Sequence, residues 1–185
     1  KNRPDSEMPF FHVRTFTDSH ESRLHFSKRQ QEQQPTRTDP DKVSLQAYFP
    51  DTPLFRYTRA RYHDRMMKID ELVGGEIQSL SDAGRLENPF VFYFGDHGGV
   101  LPRSKGYAYE SGLHVPLVVR VPDNFKNLAS RKLGSRTKGF VEFVDFGPTV
   151  LSLAGLDQPA GVDGRPFLGL DAEPDEVDGR DETIG

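Results

Sequence analysis

The strongest pattern of apolar and polar positions lies between residues 51 and 84 and predicts one long amphipathic helix. Apolar side chains recur there at spacings of three or four residues, which is the period of one helix face. These side chains are Tyr62, Met66, Ile69, Val73, Ile77 and Leu80. Asp51 or Thr52 can cap the amino end, Pro53 suits the first turn, and Gly84 is expected to end the helix.

Two further expectations concern the polar side and the interior of this helix. Asp64 and Lys68 have i,i+4 spacing, which favours an ion pair on the solvent-facing side. Gly74 and Gly75 lie in the interior, where each glycine costs about 1 kcal/mol relative to alanine. Close packing of the helix against a sheet would explain why they are tolerated.

Three shorter segments, residues 8–16, 90–94 and 115–121, are rich in aromatic and β-branched side chains and are predicted to be strands. The continuous apolar run at 90–94 is typical of a central parallel strand that is covered on both faces. A second, shorter helix is predicted over residues 140–156. Since strands and helices alternate, the sequence predicts an α/β fold with a mostly parallel sheet flanked by helices.

Polar and turn-forming residues dominate two other stretches. Residues 17–50 are predicted to be a long loop, and residues 157–185 form an acidic, glycine-rich tail without any periodic pattern, which is expected to be irregular. The apolar fraction of the whole chain is only 35%, and the shortfall is concentrated in these two stretches. Residues 1–156 are therefore expected to hold the folded α/β part.

Charge and composition exclude several classes of function. The net charge of −4 argues against a nucleic-acid partner. The chain has no apolar run of about 18 or more residues, so no membrane span is expected. It has no cysteine, which excludes disulfides, thiolate metal sites and a cysteine nucleophile within this chain.

Asp96 and His97 are the first candidates for chemistry, because they follow the apolar run directly and are flanked by glycines. Glycines allow the backbone bends that aim both side chains at one divalent ion. A carboxylate with an imidazole suits zinc or manganese, whereas calcium prefers oxygen ligands. The same pair is also typical of an ordinary turn in which Asp96 only caps a backbone amide.

Lys105 and His20 are the next candidates. Lys105 lies nine residues after Asp96 and could bring a positive charge to an anionic group, although it could equally be a solvated surface lysine. His20 follows the first predicted strand and could donate a proton or bind an anion, or be an ordinary loop histidine. Ligands collect at the carboxyl ends of parallel strands, so His20 and the Asp96–His97 turn are predicted to share one cleft.

Together these motifs resemble the sulfatase family of the alkaline phosphatase superfamily. The matching stretches are, in order, residues 9–22, 62–73, 90–116 and 143–155, and the resemblance covers about residues 8–170. The last stretch reads Phe-Val-Asp-Phe-Gly-Pro-Thr-Val-Leu-Ser-Leu-Ala-Gly. The His-Glu-Ser phrase that begins at His20 is most similar to heparan N-sulfatase-like members.

The resemblance implies a role for each candidate residue. Asp96 and His97 would be ligands of the active-site divalent cation, usually calcium in this family, with manganese or zinc as alternatives because many members have asparagine where His97 stands. Lys105 would bind the sulfate and stabilise its charge, and His20 would contact the sulfate or protonate the leaving oxygen. His114 stands where arginine is common, and no role is implied for it.

One family feature is missing from this chain. Family members carry an amino-terminal acidic metal-binding pair and a Cys-or-Ser-x-Pro-x-Arg motif whose first residue becomes formylglycine, the nucleophile. Neither occurs here. The chain is therefore expected to be a later part of a sulfatase catalytic domain, incomplete and inactive alone, with the formylglycine upstream.

The resemblance implies that the full-length protein hydrolyses a sulfate ester or sulfamate on a carbohydrate or other small molecule, in the periplasm, outside the cell or in lysosomes. Two alternatives stay open. A phosphatase, phosphodiesterase or phosphonate hydrolase of the same superfamily would use the same kind of metal turn. A short non-catalytic remnant would also account for the missing nucleophile.

Overall fold

The computed structural model describes Asp5 and residues 8–182, which form two compact units divided between Glu76 and Ile77. Its α-helices are α1 (Lys28–Gln33), α2 (Pro53–Asp82), α3 (Glu110–Leu113), α4 (Phe146–Leu153) and α5 (Pro174–Asp178). Its strands are β1 (Val91–Phe94) and β2 (Leu117–Arg120). Short 3-10 helices cover Glu21–Arg23, Pro40–Lys42, Asp123–Leu128 and Phe143–Asp145. No helix within the described residues is both long enough and apolar enough to span a membrane.

The long helix α2 confirms the strongest sequence prediction. Its amino end is capped by the Thr52 hydroxyl, which accepts a hydrogen bond from the Phe55 amide at 3.3 Å. Pro53 is its first residue, and Gly84 adopts the left-handed conformation (φ 62°) just past its end. On the predicted apolar face Ile69 is buried, and the other five members are half-buried.

The polar loop before α2 is fixed to the helix, which overturns the predicted Asp64–Lys68 pair. The Asp64 carboxylate accepts hydrogen bonds from the amides of Arg37 and Thr38, both at 2.8 Å, and from the Thr38 hydroxyl at 2.7 Å. Lys68 instead lies 3.2 Å from Glu71. The Asp64 carboxylate thus accepts three hydrogen bonds from the loop in place of one ion pair with Lys68.

Residues 8–16 do not form the predicted strand. The segment has no regular secondary structure, and Phe10, Phe11 and Val13 are 46%, 79% and 65% exposed. A strand is stabilised by a neighbour that completes its hydrogen bonds, and the only ladder among the described residues joins β1 and β2.

The sheet of the second unit differs from the predicted parallel arrangement. β1 and β2 are antiparallel, with Val91 opposite Arg120 and Phe94 opposite Leu117. A parallel neighbour requires a long crossover, usually through a helix. The connection here holds only the four-residue α3, and the chain turns back on itself. The prediction of a mostly parallel sheet is therefore wrong for the strands that the structure describes.

The core of the second unit is centred on residues from the acidic tail. Phe167, Leu168 and Val177 are buried, and partly buried side chains from the sheet, from α4 and from nearby loops pack against them. These are Phe92, Leu117, Val119, Val121, Val141, Phe146 and Leu153. Apart from α5 the described part of the tail has no α-helix or strand, yet its apolar side chains fill the space beneath the sheet.

Asp145 joins that tail to the start of α4. Its carboxylate accepts hydrogen bonds from the amides of Glu142 (3.0 Å) and Arg165 (2.8 Å) and from the guanidinium of Arg180 (3.2 Å). The Arg180 side chain is 3% exposed, so this is a buried ion pair. These contacts give Asp145 a structural role.

Candidate active site

The turn after β1 displays the two predicted metal ligands at the surface. The Gly95 amide donates a hydrogen bond to the Pro116 carbonyl (3.1 Å) at the end of the strand pair, and the chain then bends away. The side chains of Asp96 and His97 are 85% and 37% exposed. Asp96 is therefore open to a ligand from solvent.

His97 is held in one orientation by its own turn. Its Nδ1 lies 2.7 Å from the Gly98 carbonyl oxygen. A carbonyl oxygen can only accept, so Nδ1 must carry the proton, and in the neutral ring Nε2 is the nitrogen that keeps its lone pair. The Nε2 atom lies 3.8 Å from Oδ2 of Asp96. An imidazole that donates from Nδ1 to a backbone carbonyl is typical of histidines that bind a metal through Nε2.

The turn lies directly against α3. The Gly98 amide donates to the Gly112 carbonyl at 2.9 Å, and an ideal Cβ on Gly98 would lie 2.0 Å from the Ser111 oxygen. An ideal Cβ on Gly112 would lie 2.1 Å from the backbone carbonyl oxygen of Tyr107. Both positions require glycine because backbone atoms occupy the space of a side chain.

The backbone of Lys105 is tied to the same turn. Its amide donates to the Gly99 carbonyl at 2.8 Å, and the preceding residue, Ser104, is buried. The Lys105 backbone is therefore bonded to the chain two residues after His97, and Lys105 is partly buried.

His20 lies in the first unit, where it caps the 3-10 helix Glu21–Arg23. Its Nδ1 accepts a hydrogen bond from the Ser22 amide at 3.3 Å and lies 3.0 Å from the Ser22 hydroxyl. In the neutral ring this leaves the proton on Nε2. The shared cleft of His20 with Asp96 remains a prediction.

Sequence reasoning missed two arrangements near the turn. His114 Nδ1 lies 2.6 Å from a Glu110 carboxylate oxygen. The i,i+4 spacing of the two residues is the only feature of the sequence that could have predicted this pair. In the loop around Lys105, the guanidinium of Arg103 lies 4.3 Å from the ring centroid of Tyr109. The Tyr107 and Tyr109 rings are stacked, with centroids 6.2 Å apart.

The donor set fits part of a divalent-metal site. Two donor atoms 3.8 Å apart can reach one ion at bond lengths of about 2.0–2.6 Å. Within the described residues no cluster of three or more His, Cys, Asp or Glu side chains could complete the shell. Asp96 and His97 can thus supply two ligands, and further ligands would have to come from elsewhere.

A family model described as "Sulfatase" matches residues 2–156, and the chain belongs to the sulfatase family. It is 33% identical to an ulvan-active sulfatase of Formosa agariphila, over 91% of this chain and 32% of that protein. It is 29% identical to human N-sulphoglucosamine sulphohydrolase, over 76% of this chain and 29% of that protein. These matches confirm the resemblance drawn from the motifs, and the chain spans about a third of the length of these two relatives.

A solved structure gives the same indication for the fold. BT4656, in complex with its substrate D-glucosamine-2-N,6-O-disulfate, is 24% identical and superposes with a TM-score of 0.53. The match covers 68% of this chain and 26% of BT4656. The chain therefore has a sulfatase-like fold.

Proposed function

We propose that the full-length protein hydrolyses sulfate esters or sulfamates of carbohydrates and that this chain contributes part of the active site. Family membership supports the reaction class, and two relatives are named for ulvan and for N-sulphoglucosamine. The observation that carries the proposal is the orientation of His97, whose Nε2 faces the exposed Asp96 carboxylate in a turn bonded to Lys105.

Asp96 and His97 are proposed to hold a divalent cation. Calcium is the family expectation, and the imidazole nitrogen makes manganese or zinc suitable as well. The bound cation would supply positive charge that polarises a sulfate oxygen. The hydrogen bond from His97 Nδ1 to the Gly98 carbonyl leaves the Nε2 lone pair for a metal and holds the ring in one orientation, which reduces the entropy lost on binding.

Lys105 and His20 are proposed to act on the anion. The Lys105 ammonium would stabilise negative charge on the sulfate oxygens as the bond to the leaving group breaks. The Nδ1 atom of His20 accepts from Ser22, so its Nε2–H is the group that can contact the sulfate or protonate the leaving oxygen.

The nucleophile is proposed to lie outside this chain. The chain contains no cysteine, and no serine in a Ser-x-Pro-x-Arg pattern, from which formylglycine could form, and it spans about a third of the two relatives described above. Activity is therefore proposed for the full-length protein, and this chain alone would be inactive.

The test uses full-length protein with Asp96→Ala and Lys105→Ala. Asp96→Ala should lower both the bound metal and turnover of a carbohydrate sulfate. Lys105→Ala should leave the metal in place and lower kcat/KM by about 10²- to 10³-fold, as expected for a lost charge-stabilising group. Metal content is measured by elemental analysis and turnover by sulfate release.

Asp70→Ala and Lys126→Ala are matched controls, since both residues are exposed and lie outside the proposed site. Normal metal content and turnover in Asp96→Ala would remove it as a ligand, and near-normal kinetics would remove Lys105. Faster release of phosphate than of sulfate from matched esters would favour the phosphatase alternative.

A further inference from the structure

Three side chains near Lys105 form an exposed patch, which we call the Tyr107 patch: Arg103, Tyr107 and Tyr109. Tyr107 is 59% exposed and Tyr109 is 47% exposed. Their rings are nearly parallel, with an interplanar angle of 22°. The Arg103 guanidinium lies over the Tyr109 ring at 4.3 Å, where the cation is attracted to the π face.

The loop that displays the patch is held in a defined conformation. Arg103 has a φ of 67°, which is uncommon outside glycine, and its carbonyl accepts a hydrogen bond from the Ser111 hydroxyl at 2.6 Å. The Tyr107 amide donates to the Ser104 carbonyl at 3.1 Å, around Gly106 with a φ of 80°. Strained residues of this kind cluster at binding sites and persist only where the surroundings hold them.

The patch also lies beside the proposed anion-binding residue. Lys105 stands between Arg103 and Tyr107 in the same loop, and its amide is bonded to the Gly99 carbonyl. A ligand whose sulfate reaches Lys105 would therefore bring the remainder of the molecule close to the exposed tyrosines.

We propose that the Tyr107 patch binds the sugar ring of a sulfated carbohydrate, an inference that rests on the proposed function. The negative face of the tyrosine ring suits the C–H face of a pyranose, and the large flat ring loses little entropy on binding. Arg103 adds a positive charge for a further sulfate or carboxylate on the same sugar. The patch would thus select carbohydrate sulfates over small sulfates without a ring.

The test compares Tyr107→Ala and Tyr107→Phe in the full-length protein, with Tyr48→Ala as a control at an exposed tyrosine of the first unit. The probes are D-glucosamine-2-N,6-O-disulfate, ulvan oligosaccharides and methyl sulfate. Tyr107→Ala should raise KM for a sulfated sugar about fivefold with kcat nearly unchanged, and it should not alter KM for methyl sulfate. Tyr107→Phe and Tyr48→Ala should behave as wild type.

Saturation-transfer NMR on the same variants separates this inference from the proposed function. Transfer to the sugar protons that is lost in Tyr107→Ala and retained in Tyr107→Phe supports the patch even if no sulfate is released. Sulfate release with an unchanged KM in Tyr107→Ala overturns the patch and leaves the hydrolase standing. Absence of binding to either sugar probe in the wild type also overturns the patch.

Discussion

Gly98 has no room for a side chain, because an ideal Cβ would lie 2.0 Å from the backbone carbonyl oxygen of Ser111 and 2.6 Å from the Gly112 Cα. Both neighbours are backbone atoms, so no rotamer change can relieve the clash. The turn that holds Asp96 and His97 therefore depends on a glycine that binds nothing itself.

We predict that Gly98→Ala destabilises the protein by about 1–3 kcal/mol, the usual cost of overpacking, and lowers metal content by displacing the turn from α3. Denaturant titration and elemental analysis measure the two effects. Gly147→Ala is the matched control, because nothing lies within 4 Å of its ideal Cβ. A Gly98→Ala protein with wild-type stability and metal content would show that the turn tolerates the shift.

Individual residues of the candidate site also show which features the sequence could predict. Residue type, glycine flanks and motif order predict Asp96, His97 and Lys105 as site residues, and that assignment stays a prediction; the structure adds one hydrogen bond from the Lys105 amide to the Gly99 carbonyl. The contact of Arg103 with Tyr109 could not be foreseen, since it depends on a left-handed backbone at Arg103 that no local pattern predicts.

At the scale of elements, the local signals for α2 were reliable, whereas the predicted strand at residues 8–16 and the predicted direction of strand pairing were wrong. The period, cap and stop residues of α2 are all short-range features, and the helix begins and ends close to where they predict. The direction of β2 relative to β1 depends on how the 22-residue connection folds, and an apolar run looks alike in parallel and antiparallel sheets. Segment 8–16 has strand-forming residues without a strand partner among the described residues.

Helix α2 offers a direct test of helix propensity. We predict that Gly74→Ala and Gly75→Ala each stabilise the protein by about 1 kcal/mol, because both lie in the helix interior and an added Cβ meets nothing within 4 Å. The gain should appear as a higher midpoint of urea unfolding.

Gly84→Ala is the contrasting control for this prediction. Its φ of 62° costs an alanine roughly 1 kcal/mol or more, so the same substitution should destabilise there. Loss of stability at Gly74 would contradict the prediction and indicate that the open space around it is filled in the full-length protein.

At the scale of the whole molecule, the acidic tail has a mostly irregular backbone and still contributes buried side chains to the core of the second unit. Phe167 is buried, its amide donates to the Thr149 hydroxyl at 3.1 Å, and its carbonyl accepts from the Ser130 hydroxyl at 2.9 Å. Hydrogen bonds from Thr137 and then Arg131 hold Asp178 of the tail and lower the pKa of its carboxyl. In an irregular backbone the buried side chains do not recur at a helix or strand period, so the sequence pattern could not predict a core in this segment.

The buried Arg180–Asp145 pair leads to a prediction about how the second unit holds together. Arg180→Ala should destabilise the protein by about 3–5 kcal/mol, because it leaves the Asp145 carboxylate buried without its cation. Arg165→Ala is the matched control, since its pair with Glu176 at 2.8 Å is 59% exposed on the arginine side and should contribute at most about 1 kcal/mol. Denaturant unfolding measures both losses.

Limited proteolysis then locates the damage caused by Arg180→Ala. Backbone amides of the tail donate hydrogen bonds to the side chains of Asp145, Thr149 and Ser152 at and within α4. Near the end of the described tail, the Arg180 guanidinium adds a further hydrogen bond to Asp145. Cleavage should therefore appear between residues 157 and 182 in Arg180→Ala before it appears elsewhere, while Arg165→Ala resists like the wild type. Equal stability and equal cleavage in the two variants would mean that the apolar contacts of Phe167, Leu168 and Val177 hold the tail without the ion pair.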